Sequence, residues 1–277
     1  MDYKGKVAVI TGAASGIGRA LALKCAGLGM KIVIADIEED RLTAVMDEIF
    51  NLGGECLVQQ CDVSSATEVK KLADATISRF GKVNLLFNNA GVSSAREGYL
   101  WEKPLEDWEW IMGVNLWGVI HGIREFTPVI LDSNERGHIV NTASIAGLTA
   151  GWDIYGVTKH AVVSLSENLK LQLERKKADI GVSVLCPAWV NTDITNSFRN
   201  HPNREAVSNP DEKTQMIRDY LQKIVESGIS PEAVADIAFN AIANDDFYIL
   251  THSDWTPLIK ERVDRIMTNE KPETVLR

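Results

Sequence analysis

The stretch KVAVITGAASGIGRALALKCAGLG, residues 6–29, decides the fold. Residues 6–11 form an apolar, β-branched run of the kind that fills a strand buried on both faces. From 15 to 29 the apolar residues return at helical spacing and the run stops at glycine. Between the two lie Gly12, Gly16 and Gly18, in the spacing GxxxGxG. A strand that feeds through a glycine turn directly into a helix is the first half of a βαβ unit.

Outward from this unit the alternation repeats. Strands are predicted at 31–36, within 55–63, from 83 into a turn at 91, at 137–144, at 181–188 and at 247–250. Helices are predicted at 38–53, 65–81, about 106–131, about 154–176 and 230–243. Ser65 with Glu68 reads as a capping box, and Ser230 with Pro231 as a helix start. Continuous apolar strands separated by helices indicate an α/β fold: a doubly wound parallel sheet of about seven strands with helices on both faces. No linker or repeat interrupts it, so residues 1–277 read as a single domain. The rhythm breaks only at 189–229, a polar, turn-rich, mostly helical stretch that reads as a substrate lid.

Bulk composition narrows the function. The 277 residues are 45% hydrophobic and 24% charged, with a net charge of −9. That balance argues against nucleic acid or an anionic membrane surface as partner. No apolar run is long enough to span a bilayer, and the start of the sequence lacks a signal-peptide pattern. The four cysteines, Cys25, Cys56, Cys61 and Cys186, form no CxxC pair, and the five histidines form no ligand pair. A cytoplasmic protein without metal is the expectation.

The glycine loop suggests a cofactor. A phosphate approaching a helix N-terminus needs backbone amides unobstructed by side chains, which glycine provides. Gly12, Ser15, Gly16, Ile17 and Gly18 are the candidate contacts. Asp36 ends the second predicted strand, 24 residues after Gly12, with Ile37 next to it. A carboxylate there can accept hydrogen bonds from ribose hydroxyls and would repel a 2′-phosphate. NAD is therefore expected in preference to NADP.

Farther along stands DIYGVTKHA, residues 153–161. Tyr155 and Lys159 are four apart and share a helix face. A free phenol titrates near 10. A cation about 4 Å away, at an effective dielectric near 20, favours the phenolate by roughly 4 kcal/mol, or about 3 pH units. The expectation is a phenol lowered toward neutrality, able to take an alcohol proton. Alone, YxxxK is common on helices. Ser144 could simply end a strand, Asn115 could satisfy helix backbone, and Asn88 and Asn89 could serve a turn.

Taken in order, the motifs resemble the short-chain dehydrogenase/reductase family over nearly the whole chain. They are TGAASGIG (11–18), Asp62 in CDV, NNAG (88–91), Asn115 in VNLWG, Ser144 in NTASIAG, YGVTK (155–159) and Pro187 in PAWVNTDI. The resemblance implies a Rossmann-like sheet and a set of roles. Tyr155 would be the acid/base and Lys159 would lower its pKa and bind the nicotinamide ribose. Ser144 would hold the substrate oxygen, and Asn115 would break the long helix and help bind a relay water. Asp62 and Val63 would contact adenine. Asn89, Ala90 and Gly91 would line the cofactor channel, and Pro187, Val190 and Thr192 would contact the nicotinamide side. A homodimer or homotetramer built on the two long helices is also implied; Trp110, Trp117, Val163, Leu165 and Leu169 could serve core or interface.

Two departures from the family pattern bear on the substrate. Ser144 and Tyr155 are 11 residues apart, against about 13 usually, and PAW replaces the common proline-glycine. The candidate substrate wall, Ser144, Ala146, Leu148, Trp152, Tyr155 and Trp189 with Phe198, is mostly apolar and aromatic. A hydrophobic, ring-bearing secondary alcohol or ketone is the expected substrate, with Arg199 and Arg204 leaving room for a carboxylate. The end FYILTHSDW, with ERVDRIM, resembles a subgroup acting on bulky aryl alcohols and cyclic terpenoid acids. The competing readings are a dinucleotide-binding regulator without turnover and an epimerase or dehydratase on the same scaffold.

Overall fold

Strand and helix alternate from the start of the chain, because each apolar run must be covered on both sides. The computed structural model describes residues 2–94, 96 and 98–274; Met1 and 275–277 of the expected domain lie outside them. The first half runs β1 (Val7–Thr11), α1 (Gly16–Gly27), β2 (Lys31–Asp36), α2 (Glu39–Asn51), β3 (Glu55–Gln60), α3 (Ala66–Phe80) and β4 (Leu85–Asn88). The second runs α4 (Leu105–Met112), α5 (Gly118–Asp132), β5 (Gly137–Thr142), α6 (Asp153–Lys176) and β6 (Ile180–Cys186). Then come α7 (Arg204–Ser208), α8 (Glu212–Glu226), α9 (Pro231–Asn244), β7 (Tyr248–Leu250) and α10 (Thr256–Met267).

The strands form one seven-stranded parallel sheet, ordered β3-β2-β1-β4-β5-β6-β7. β1 lies between β2 and β4, with Val9 opposite Val33 on one side and Leu86 on the other. The chain order reverses there, and in open α/β sheets that is where a crevice opens at the strands' carboxyl ends.

Strand alternation splits the core in two. Ile10, Ile32, Ile34, Leu85 and Phe87 point to the face covered by α1, α2 and α9, among Leu21, Leu42 and Phe239. Val9, Val33, Leu86, Ile139 and Val182 point to the other, among Leu72, Phe126 and Leu169. Trp110, Val163 and Leu169 are buried, whereas Trp117 is half exposed.

Asn115 interrupts the long helix as the family resemblance implies, and two other local features differ from expectation. The predicted 106–131 helix is interrupted by a π-helical turn, Gly113–Trp117. Ser65 caps α3 by accepting from Glu68 N at 3.3 Å, but the Glu68 carboxylate accepts from Asp62 N at 2.7 Å instead of closing the box on Ser65. The Ser65 amide is already spent on the Asp62 carbonyl, which accounts for the change. α10 was not foreseen; its sequence, TPLIKERVDRIM, is amphipathic but rich in charge and leaves no residue of the helix fully buried. Among the described residues no helix is long and apolar enough to cross a membrane.

Candidate active site

A cleft of about 1120 Å³ opens at the carboxyl ends of the strands, over the β1/β4 reversal. The glycine loop forms its floor on one side. Gly12 has φ +66, and a Cβ there would come within 2.7 Å of Ala90 Cα. A Cβ on Gly18 would stand 2.0 Å from the Gly12 carbonyl oxygen. These glycines let the turn lie flat against the end of β4. Ser15 precedes α1 without a capping hydrogen bond from its side chain, so the first amides of that helix stay available to an anion. The cradle therefore suits a dinucleotide's pyrophosphate.

Asn89 holds the loop in place. Its Nδ2 donates to the Thr11 carbonyl at 3.1 Å, its own amide donates to Thr11 Oγ1 at 3.0 Å, and its Oδ1 accepts from Thr142 Oγ1 at 3.3 Å. At the far end Asp36 accepts from Ala14 N at 3.0 Å and Glu38 N at 3.1 Å. Burial raises its pKa above the usual aspartate value, partly offset by these amides. Each of its oxygens keeps a lone pair for a ribose hydroxyl. Asp62 accepts from Ser64 N at 2.9 Å and Ser64 Oγ at 2.7 Å, and with Val63 it forms the wall beside Asp36.

Glu38, two residues beyond Asp36, lines the same end and pairs with Arg199 at 2.7 Å; Arg41 pairs with Asp193 at 2.8 Å. Both links tie the β2–α2 connection to the 189–229 segment, which carries a 3-10 helix at Ile194–Asn200, then α7 and α8. Arg199, expected to be free for a substrate carboxylate, is engaged with Glu38 instead. Arg204 does not line the cleft.

The middle of the cleft holds Ser144, Tyr155 and Lys159. Ser144 follows β5, where its Oγ accepts from Ala146 N at 3.1 Å and donates to the Pro187 carbonyl at 3.3 Å. It also hydrogen-bonds Tyr155, which favours the phenolate. Lys159 is buried; its Nζ donates to the Thr142 carbonyl at 2.9 Å and stands 5.5 Å from the centre of the Tyr155 ring.

The expected lowering of Tyr155 is not found. Burial raises the phenol above its ordinary 10, and Lys159 is itself pushed down to about 8 by burial. The reason is geometric. The ammonium is turned to the Thr142 carbonyl and lies over the ring, so it does little to offset desolvation of the phenolate.

Beneath these groups Asn115 occupies the π turn and is fully buried. Its Oδ1 accepts from Val92 N at 2.8 Å, and its Nδ2 donates to the Val92 carbonyl at 2.9 Å and to Thr158 Oγ1 at 3.2 Å. It pins the start of the β4–α4 loop to α6.

At the substrate end the wall is formed by Trp110, Trp152 and Trp189 with Val190, Ile217 and Tyr220. Trp152 packs on Trp189 at 5.8 Å between ring centres, and Trp255 packs on them at 6.1 and 6.3 Å. Ala146, expected on this wall, is buried in a 3-10 turn with its amide on Ser144, and neither it nor Leu148 faces the cleft. Phe198 is likewise turned away and lies under Arg218 at 4.1 Å. The other predicted site residues line the cleft, except Gly18 and Asn115, which support it from below.

A family model for short chain dehydrogenases matches residues 6–203, nearly three quarters of the sequence. The chain belongs to the short-chain dehydrogenase/reductase family. Across its length it is 36% identical to a "CLA biosynthesis dehydrogenase/reductase" of Lactiplantibacillus plantarum, covering 98% of this chain and 96% of that one. It is 33% identical to a 1-deoxy-11-beta-hydroxypentalenate dehydrogenase of Streptomyces avermitilis, over 92% of this chain and 87% of that one. The crystal structure of a short-chain dehydrogenase/reductase from Burkholderia phymatum in complex with NAD superposes with a TM-score of 0.94 at 44% identity, covering 100% and 99% of the two chains.

In this short-chain dehydrogenase/reductase, four elements of the site were given no such role by the sequence reading. Glu38, Thr142, Trp255 and the ion pair between the buried Lys103 and Asp153 at the start of α6 reach it through contacts between residues distant in the chain. Only Glu38 carried a local signal, a second carboxylate just past Asp36.

Proposed function

We propose that the protein is an NAD-dependent oxidoreductase that interconverts a hydrophobic, cyclic or aryl secondary alcohol and its ketone. The observation that carries this reading is a single cleft. It runs from Asp36 and the glycine cradle, past Ser144, Tyr155 and Lys159, to the tryptophan wall.

The dinucleotide would rest its pyrophosphate on Gly12, Ser15, Gly16, Ile17 and the first turn of α1, which Gly18 shapes. Asp36 and Ile37 would take the adenosine ribose, and Asp62 and Val63 the adenine. Asn89, Ala90, Gly91, Pro187, Val190 and Thr192 would flank the nicotinamide half. Asp36 would meet the adenosine ribose with a carboxylate that repels a 2′-phosphate, while Glu38 is neutralised by Arg199, so the preference for NAD over NADP rests on Asp36. When bound, this cofactor supplies hydride transfer. The Burkholderia relative's NAD and the Streptomyces relative's named activity agree with both halves of the reading.

Ser144 Oγ would donate a hydrogen bond to the substrate oxygen in place of the Pro187 carbonyl. Tyr155 would exchange the proton. A phenol raised by burial is the protonated form that ketone reduction needs. In oxidation the Ser144 hydrogen bond favours its ionised form. Lys159, fixed by Thr142, would reach the nicotinamide ribose, and Asn115 would hold the loop that borders a proton-relay water. The 189–229 segment would act as lid. Of the basic residues at the substrate end, Arg96 pairs with Glu106 at 2.9 Å and Asp107 at 3.2 Å, and Arg218 donates to the Val207 carbonyl at 3.0 Å and lies over Phe198, which favours an uncharged substrate.

The apolar residues Trp117, Val157 and Leu171, exposed on the π turn and α6, support a homodimer or homotetramer through these helices. Mass measurement at micromolar concentration checks it; a monomer alone would refute the assembly. The activity is tested with a panel of aryl and alicyclic secondary alcohols and NAD, read by absorbance of the reduced cofactor. Turnover is expected with bulky ring alcohols and little with short linear ones. A protein that binds NAD but oxidises none of them would favour the regulator.

A further inference from the structure

His201 sits where the 189–229 segment meets α4. Its side chain is buried, and it directly follows the 3-10 helix Ile194–Asn200, its amide donating to the Phe198 carbonyl at 3.0 Å. The imidazole has two neighbours on α4. Its Nε2 stands 3.2 Å from Asp107 Oδ1, and its ring packs edge-on against Trp110 at 4.8 Å between centres, with 70° between the planes. Asp107 and Trp110 are three residues apart on that helix, so they share one face.

The tautomer follows from the other nitrogen. Nδ1 accepts from Asn203 N at 3.0 Å, so the ring proton is on Nε2, the nitrogen beside the carboxylate. Asp107 needs it there. The carboxylate is 1% exposed, and neither of its oxygens accepts a hydrogen bond among the described residues. A buried anion in that state is costly unless polar protons or positive charge stand close. Arg96 Nη1 and His201 Nε2, each 3.2 Å from the same oxygen, supply them. One carboxylate thus holds two segments to α4: the β4–α4 loop through Arg96 and the 189–229 segment through His201. Asn203 adds a second tie, its Nδ2 lying 3.4 Å from both oxygens of Glu106. Two residues before His201, Arg199 pairs with Glu38, which removes freedom from the backbone that carries the imidazole.

Trp110 takes its position from this clamp. The indole is buried at its back and lines the substrate end of the cleft. Val92, Ile154 and Val207, packed in the same cluster, are aliphatic and set no ring angle. An edge-on aromatic pair does prefer one orientation. An imidazole held through both nitrogens therefore fixes the tilt of the indole it abuts.

We propose that His201 is a positioning residue for Trp110: clamped between Asp107 and Asn203, it fixes the indole against which a ring-bearing substrate lies, and so sets the preference for bulky over compact alcohols. This rests on the reading of the cleft as the site of a cyclic or aryl alcohol dehydrogenase.

The test is a double-variant cycle of His201→Ala and Trp110→Leu. His201→Gln is added as a partial replacement that keeps an N–H for Asp107 and loses the ring. Steady-state kinetics with NAD compare a bulky aryl alcohol with a compact alicyclic one. For the bulky alcohol, His201→Ala is expected to raise KM about 3–10-fold with kcat within about twofold, the range of one lost aromatic contact. For the compact alcohol, kcat/KM should change by less than about twofold. His201→Gln should melt near the wild-type temperature and still show the raised KM, since the carboxylate keeps its proton donor while the indole loses its ring. In the Trp110→Leu background, His201→Ala should add less than about twofold, because its effect passes through the indole. Equal losses for the two alcohols, a fall in kcat with KM unchanged, or full additivity of the two substitutions overturns the proposal. Should His201→Ala fail to fold, His201→Gln takes its place in the cycle. Wild-type protein that oxidises neither alcohol would sink the dehydrogenase reading instead. Calorimetric binding of a bulky aryl ketone to the NADH-loaded protein then decides: binding about 3–10-fold weaker in His201→Gln upholds the positioning role, while equal binding or none overturns it.

Discussion

The two ends of the cleft are built by different means. The dinucleotide end is made of backbone turns at the tips of adjacent strands: the turn between β1 and α1, the tip of β2, the tip of β4. Its geometry follows from backbone freedom, as at Gly12, and from main-chain hydrogen bonds such as those to Asp36. The substrate end is assembled from Trp110, Trp152, Trp189 and Trp255, which span four separate elements. Binding a common cofactor calls for a fixed backbone, while choosing among substrates calls for side chains that can vary without disturbing it.

That division can be broken at its junction, where the largest effect is expected. Tyr155→Phe should lower kcat by about 10²–10⁴-fold, the range of a lost acid/base. NAD affinity by calorimetry should stay within about twofold, since the phenol carries no cofactor anchor beyond the ribose. Preserved turnover would remove Tyr155 from its role.

At the dinucleotide end, Asp36→Ala should weaken NAD by about 10–100-fold, as expected for hydrogen bonds to a charged group. Discrimination against NADP should fall with it. An unchanged NAD-to-NADP ratio of dissociation constants would refute the ribose contact.

Beneath both ends, His138 tests the scaffold apart from the cleft. It is 1% exposed, with its Nε2 2.8 Å from Ser183 Oγ, which itself donates to the Asp246 carbonyl. Burial lowers its pKa to about 4, below the ordinary 6.5. The unfolded chain therefore takes up the proton first. This contribution to stability is complete above pH 6.5 and is lost as pH falls toward 4. Urea unfolding should show about 2 kcal/mol less stability at pH 5 than at 6.5 from this group. His138→Gln should flatten that part of the slope, and an unchanged slope would exclude His138 as its source.

The smallest effect belongs to the substrate end. Trp255→Ala removes a ring that touches both Trp152 and Trp189 without lining the cleft. Edge and tilted aromatic contacts are worth about 0.5–1.5 kcal/mol, so kcat/KM for aryl alcohols should drop about 2–10-fold. NAD affinity should not move; if it does, the two ends are not separable.

The same contrast explains what could be read from the sequence. Strand periodicity gave the sheet, and glycine spacing gave its switch point, because both are local. Ser144, Tyr155, Lys159 and Asn115 were legible as a set through family resemblance. The direction of the Tyr155 shift was misread, since the four-residue spacing shows that Lys159 is near but not that Thr142 draws its ammonium away. Ala146 was misplaced because a 3-10 turn, not an open loop, follows Ser144. Arg199 was read as a free cation because nothing local reveals that Glu38, 161 positions earlier, lies against it.

The π turn at Gly113–Trp117 carries a consequence for how this chain can change over time. Such a turn accommodates one residue more than a regular helix would over the same path, and each helical residue advances about 100°. Removing a single amino acid there would leave a continuous helix. It would leave Val119, Phe126 and Ile130, the buried stripe of α5, on the sheet, because the turn absorbs the extra residue; what would be lost is the seat of Asn115 and its hydrogen bonds to Val92 and Thr158. The length of this stretch is therefore held by the site it supports and not by the packing of the helix that follows, so a deletion here should cost activity well before it costs stability.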